Sequence, residues 1–491
     1  MLDITENILR DESFKVAVTS LQKRAERQLD YDRLVDVFVE TDLFTRSRST
    51  DTQLILGRRG TGKTHMIKVF AFKQKLQGDY ILMIDCTQLG SGISSIRDLD
   101  EYETAGKYFT GFLNPIGTDL LDAVIKMENP EKTKQDRLFN KIASLSSFIE
   151  INDKLGKSTF NYRQITDSLN QILNDLGISR LFILIDEWAQ IPVASQPIFA
   201  EFLKRSVLPV HKISLKIVAV NYQCEFFKTV SGQPIGIQRG ADLTDVLEID
   251  TYLIYDVKRD QVVKFFGHVL YNHLGAELEW NLNESADEKI SRVESLFTQS
   301  GAFLQLVRAA EGNCRDFLCI FARAYFDGFL HTANAKRISI SNIESAAASW
   351  FDSEKQSNIK VEPRVQNALT HIFEKVIRGY KSRTFMVEMS KADHPVLLRL
   401  LNERVIHKIN VVYAHKTNPG VRYELFTLDF GAYVRFKGTE NEPQDPIETS
   451  EIRKEDAKFM VPIDDKRSVR RIVFDPDTLD AKEEQLLLQL Y

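Results

Sequence analysis

The stretch Gly57-Arg58-Arg59-Gly60-Thr61-Gly62-Lys63-Thr64 constrains this chain more than any other. It follows a short apolar run, Gln53 to Leu56, and opens a helical pattern through Met66, Val69 and Phe70. A GxxxxGK[ST] string carries weight only between a strand and a helix in this way. There the glycines let backbone N–H groups close around a β-phosphate at a helix N-terminus. Lys63 is then placed to neutralise the β- and γ-phosphates, and the Thr64 hydroxyl to complete a Mg²⁺ shell. All eight residues, Gly57, Arg58, Arg59, Gly60, Thr61, Gly62, Lys63 and Thr64, are therefore expected to hold a nucleotide's phosphates.

A second acidic element fits the same chemistry. Leu181-Phe182-Ile183-Leu184-Ile185 reads as a buried strand, and it ends in Asp186-Glu187. Asp186 is expected to hold Mg²⁺ through water. Glu187 is expected to orient and deprotonate the attacking water, because phosphoryl transfer is mostly positioning and charge stabilisation. No NKxD-type guanine reader is found, which leaves ATP as the expected nucleotide. The only string like an ABC signature, Ser231-Gly232-Gln233, comes after Asp186 rather than before it.

Further apolar runs, Tyr80 to Ile84, Leu215 to Val220 and Val246 to Ile249, alternate with helical stretches. Buried parallel strands between helices have this pattern, so the core is expected to be an α/β sheet. At 491 residues, about three domains are expected. Residues 1–50 read as a helical N-terminal extension, 51–256 as the sheet core, and 257–350 as an all-helical domain. An insertion at about 88–160 is expected to add surface and a candidate partner contact.

Residues 360–437 read as a helix (Val365 to Arg378), a strand (Thr384 to Val387), a helix (Pro395 to Val405) and a hairpin turning at Lys416 to Gly420. After Lys437 the chain turns acidic and proline-punctuated (Glu440, Glu442, Pro443, Asp445, Pro446), so 438–491 reads as a linker and tail.

Composition excludes some classes. The chain is 43% hydrophobic and 27% charged, and no run approaches the roughly 18 apolar residues of a membrane span. The charged start, with Asp3, Glu6, Arg10, Asp11 and Glu12, does not resemble a secretory signal. Four scattered cysteines give no CxxC pair, so neither a disulfide framework nor a zinc site is suggested. A cytoplasmic setting with reduced thiols is expected. A net charge of −5 argues against a globally basic nucleic-acid coat.

Together, Gly57 to Thr64, Ile185-Asp186-Glu187, the strand Leu215 to Val220 ending at Asn221, and Gly312-Asn313-Cys314-Arg315 in a helical stretch resemble the AAA+ family. The likeness is to its initiator-type branch, related to ORC and Cdc6, and it covers about Val35 to Tyr325. It implies a P-loop NTPase parallel-sheet core with a helical lid and a C-terminal winged-helix-like domain. It makes Asn221 the sensor 1 group that holds the attacking water or γ-phosphate. Arg315 becomes the sensor 2 arginine, reaching from the lid to the phosphates. Members commonly complete the site with an arginine from a neighbouring subunit, so a homo-oligomer is implied, and Arg239 is the candidate finger.

The resemblance leaves the biological role open. One reading is an ATP-gated switch or assembly factor on DNA, using Arg399, Arg404, His407, Lys408, Lys416 and Arg422 at the last helix and wing, although Glu388, Glu403 and Glu424 dilute that basic face. The other is the ATPase subunit of a protein complex, such as a bacterial anti-phage defence module, that controls an effector without touching DNA. A signalling ATPase of the STAND type is farther off, since no long repeat array is found.

Overall fold

The computed structural model describes residues 8–23, 25, 28, 30–90, 100–127, 131–145, 149–152, 157–255, 257–414, 420–437, 439 and 472–478. It separates into two compact units. One comprises Leu29–Arg58 and Lys63–Ile249; the other comprises Met1–Gln28, Arg59–Gly62 and Asp250–Tyr491.

The first unit is built on a five-stranded sheet. In chain order its main elements are β1 (Gln53–Leu56), α1 (Lys63–Leu76), β2 (Tyr80–Asp85), α2 (Glu101–Ile125), β3 (Leu181–Asp186), α3 (Gln196–Ser206), β4 (Ile213–Ala219) and β5 (Asp245–Glu248). The spatial order is β2-β3-β4-β1-β5, and every pairing is parallel. The three central strands are buried on both faces, and Leu54, Ile183, Leu184, Ile185, Leu215 and Ile217 are completely buried. Register aligns their C-terminal ends, with Leu56 beside Ala219 and Ile185 beside Ile217. The loops after β1, β3 and β4 therefore leave the sheet at one edge, where ligands of open parallel sheets bind.

The insertion differs from expectation. Its helix α2 is not added surface: Phe109, Phe112 and Ile116 are fully buried in the main core, where Phe109 and Phe112 meet Phe199 of α3 edge-on. The first 50 residues also divide between the two units. Within them Tyr31–Val37 forms a helix capped by Asp30, and the chain leaves it at Phe38.

The second unit begins with a helical part, including α4 (Arg259–Leu278), α5 (Cys314–Arg323) and α6 (Ile340–Trp350). It continues through α7 (Pro363–Ile372), β6 (Thr384–Glu388), α8 (Pro395–Asn402), β7 (Ile406–Ala414) and β8 (Arg422–Leu428). These last strands form an antiparallel sheet in the order β6-β8-β7. The element order follows the expectation, but between β6 and α8 there is only the three-residue turn Met389–Lys391. Most of the expected turn at Lys416 and most of the acidic linker lie outside the described residues.

Candidate functional site

Within the first unit, Lys63 is buried at the start of α1 and its ammonium donates to the carbonyls of Gly57 (2.7 Å) and Arg58 (2.8 Å). The next residue, Thr64, donates its hydroxyl to Asp186 Oδ2 at 2.8 Å, so the helix start and the end of β3 meet. The other carboxylate oxygen of Asp186 accepts the Glu187 N–H at 2.9 Å. Burial raises the Asp186 pKa, with Asp85 adding to it, against the hydrogen bonds from Thr64 and Glu187 and the charge of Lys63. A hydroxyl and a half-buried carboxylate at hydrogen-bond distance are hard oxygen donors, which suits Mg²⁺. These residues fit that ion.

Glu187 has φ 55° and ψ 40°, a left-handed conformation that is uncommon outside glycine and concentrates at functional sites. Two neighbours fix it. Gln190 N–H donates to the Glu187 carbonyl at 2.9 Å, and the fully buried Trp188 stacks on Phe226 with ring centroids 4.6 Å apart. Asn221 lies just past β4 in a turn closed by Gln223 N–H on Val220 O, and Tyr222 beside it also has positive φ, 63°. Arg239 is exposed between a hairpin (Phe227–Val230 with Gln233–Gly236) and β5. Burial pushes the Cys224 thiol up to about 11, against the opposing pull of Arg239 and Lys63.

The tip of the loop groups with the second unit. Asn313 caps α5 by accepting from Asp316 N–H at 3.1 Å, and its side-chain amide donates to Arg59 O at 2.7 Å. Arg315 N–H donates to Gly60 O at 3.0 Å. Gly60 has φ 89°, and a Cβ there would stand 2.5 Å from Asn313 Oδ1, so both conformation and closeness demand glycine. Gly312 (φ 75°) lets the chain turn sharply into Asn313, where a Cβ would meet Leu253 O at 2.5 Å.

Sequence reasoning missed the residue that follows. Asp316 is completely buried, and its carboxylate receives Lys355 Nζ at 2.9 Å, Arg404 Nε at 3.1 Å and Trp350 Nε1 at 3.0 Å. Lys355 also reaches Asp429 at 2.6 Å, and Asp429 meets His407 Nε2 at 2.9 Å. The available signal was a carboxylate among Phe317, Ile320 and Phe321 on an otherwise apolar helix face.

The expected basic face is correspondingly altered. Arg404 and His407 are buried in this cluster. Arg399 pairs with Glu362 at 2.7 Å and also with Glu403, while Lys408 pairs with Glu424 at 2.7 Å. Arg422 is exposed and Lys416 is outside the described residues. Two of the acids that seemed to dilute the face, Glu403 and Glu424, in fact pair with its Arg399 and Lys408.

The Gly57–Thr64 loop after β1, the carboxylates Asp186 and Glu187 at the end of β3 and a β4 lying between these strands give the arrangement of a P-loop NTPase fold. The ORC-CDC6-like family model matches residues 20–78, which include this loop. Over that stretch the chain is similar to the ORC/Cdc6 type of AAA+ ATPase. No curated protein matches it. Solved structures with a similar arrangement include a Thermotoga maritima RuvB variant, at 12% identity over 86% of this chain and 99% of that one, with TM-score 0.34. Others are Aeropyrum pernix Orc1 in complex with DNA (12%, 86% and 96%, 0.31) and Pyrobaculum aerophilum Cdc6p (14%, 88% and 96%, 0.32). Among the described residues, no helix is long and apolar enough to cross a membrane.

Proposed function

We propose that this chain binds ATP at Gly57–Thr64, hydrolyses it, and serves as a nucleotide-gated switch or assembly factor on a partner protein. Lys63 meets the β- and γ-phosphates, and Thr64 and Asp186 hold Mg²⁺, which supplies charge neutralisation between those phosphates. Glu187 takes the proton of the attacking water, Asn221 orients that water, and Arg315 reads the phosphates. Arg239 is the arginine offered to a neighbouring subunit of a homo-oligomer. The domains act as a sheet core, a helical lid and a winged-helix-like module.

The observation that carries the switch is the single turn Asn313 to Asp316. Its first residues hold Arg59 and Gly60 of the loop tip, and its last binds Arg404 and Lys355. A change in the loop on nucleotide binding or hydrolysis is thereby felt at the C-terminal module. The partner is read as a protein, such as an effector in a defence complex, because Arg399, Arg404, His407 and Lys408 are already matched by acids in the same chain.

Titrating a mixed-sequence duplex onto the full chain with Mg-ATP at several salt concentrations tests this choice. Phosphate contacts release counterions and give a slope of about −0.9 per contact in log K against log salt. A near-flat slope and weak binding are expected. A slope steeper than about −3 would return the function to DNA.

A further inference from the structure

β6 is an edge strand, and a distant piece of the same chain covers its free edge. Ile472–Asp477 lies more than thirty positions past Thr439, across the acidic stretch. Val473 bridges Met386 in parallel, with Met386 N–H donating to Ile472 O at 2.7 Å and Phe474 N–H to Met386 O at 2.8 Å. Side chains alternate as a strand requires. Ile472 and Phe474 are buried, with Phe474 edge-on to Phe385 at 5.7 Å and against His371 at 5.9 Å, while Val473 packs with Met386 on the other face. Lys391 then receives Asp475 at 2.8 Å and Asp477 at 2.7 Å.

We propose that this edge is a peptide-docking site for an extended apolar–x–apolar–acidic segment of a partner protein, held in cis by Ile472–Asp477 until that partner displaces it. Backbone bonds at the edge give affinity, and pockets for alternate side chains give selectivity. The cis segment reveals the preferred chemistry and also its own weakness. β6 runs to Glu388, but among the described residues the segment's backbone bonds to it are at Met386 alone, before Pro476 and the turn of Thr478 N–H onto Asp475 O lead it away. Proline cannot donate to a ladder. A segment that stays extended past that point gains pairing at Glu388, which faces the same edge by the two-residue period. A second copy's identical segment gains nothing over the cis one, which has the higher effective concentration. The observed contacts therefore favour a different protein. The idea deepens the partner-protein reading, yet its test reads the groove alone and is indifferent to ATP.

The test uses full-length chain and a fluorescent peptide copying residues 470–479, followed by anisotropy. A chain carrying Ile472→Asp and Phe474→Asp is expected to bind this peptide roughly tenfold or more tightly than the parent, whose groove is occupied in cis. A peptide with Pro476→Val is expected to bind the parent as well. Lys391→Glu, on a half-buried side chain, should weaken binding, and a peptide with Asp475→Lys and Asp477→Lys should restore it. In the Lys391→Glu chain alone, faster hydrogen exchange at the Phe474 amide is expected, a readout that survives if the double variant fails to fold. Absent peptide binding to a folded, emptied chain, or equal exchange at Phe474, would overturn the proposal. A parent dimer dissolved by Ile472→Asp and Phe474→Asp would also overturn it, in favour of exchange between copies.

Discussion

A Glu187→Gln chain is expected to bind ATP as tightly as the parent and to hydrolyse it roughly 10²- to 10⁴-fold more slowly. The amide still hydrogen-bonds water but cannot accept its proton. The loop shape should survive, because it is set by Gln190 N–H on the Glu187 carbonyl and by buried Trp188, neither of which involves the carboxylate. Calorimetry and phosphate release measure the two quantities separately. Arg239→Ala should likewise spare affinity and lower turnover, since a finger acts on charge that develops in the transition state. Mixing the two defective chains should recover part of the activity, because some interfaces then pair an intact Glu187 with an intact Arg239. Parent-like turnover from Glu187→Gln would remove it from the water-activating role.

Asp316→Ala is expected to destabilise the protein by about 3–5 kcal/mol, since it strips buried Arg404 of its carboxylate partner and leaves Lys355 with Asp429 alone. Burial opposes ionisation of Asp316, but Arg404, Lys355 and the Trp350 hydrogen bond outweigh it and hold its pKa well below the carboxylate range. Asp429 is depressed in the same sense: burial opposes its ionisation, but Lys355 and His407 outweigh that. A depressed carboxylate stabilises the fold fully above its unfolded pKa and loses that contribution as pH falls through the folded value. The gap between parent and variant should thus be widest near neutral pH and narrow in acid, as read by denaturant unfolding. Adding Arg404→Met should recover part of the loss, because an apolar replacement removes the stranded charge while Lys355 keeps Asp429. Unfolding unchanged in Asp316→Ala would mean that the cluster contributes no net stability.

The sheet was legible because its strands are continuous apolar runs closed by turn residues. Gln53 to Leu56 was read to the residue, and the strands at Tyr80, Leu181, Leu215 and Val246 to within two. The phosphate loop and carboxylates were legible for a related reason: their chemistry requires fixed residue types beside a strand. Helix α2 was not, since Gly106, Gly111, Gly117 and Pro115 interrupt its periodicity and its burial comes from packing against distant elements. The C-terminal charges misled because a basic residue's partner is set by the fold. Arg404 finds Asp316 eighty-eight positions away, and Arg399 finds Glu362 thirty-seven positions away.

The proposed function requires one site that both binds and splits ATP, and phosphate release by the purified chain with Mg-ATP tests that most directly, with a Lys63→Ala chain alongside. Lys63 is the ammonium placed on the loop carbonyls of Gly57 and Arg58, where a nucleotide's phosphates are expected. Steady, Mg²⁺-dependent release from the parent and its loss in a folded Lys63→Ala chain is the predicted result. Equal release from both chains, or none from the parent with Mg-ATP bound, would contradict it.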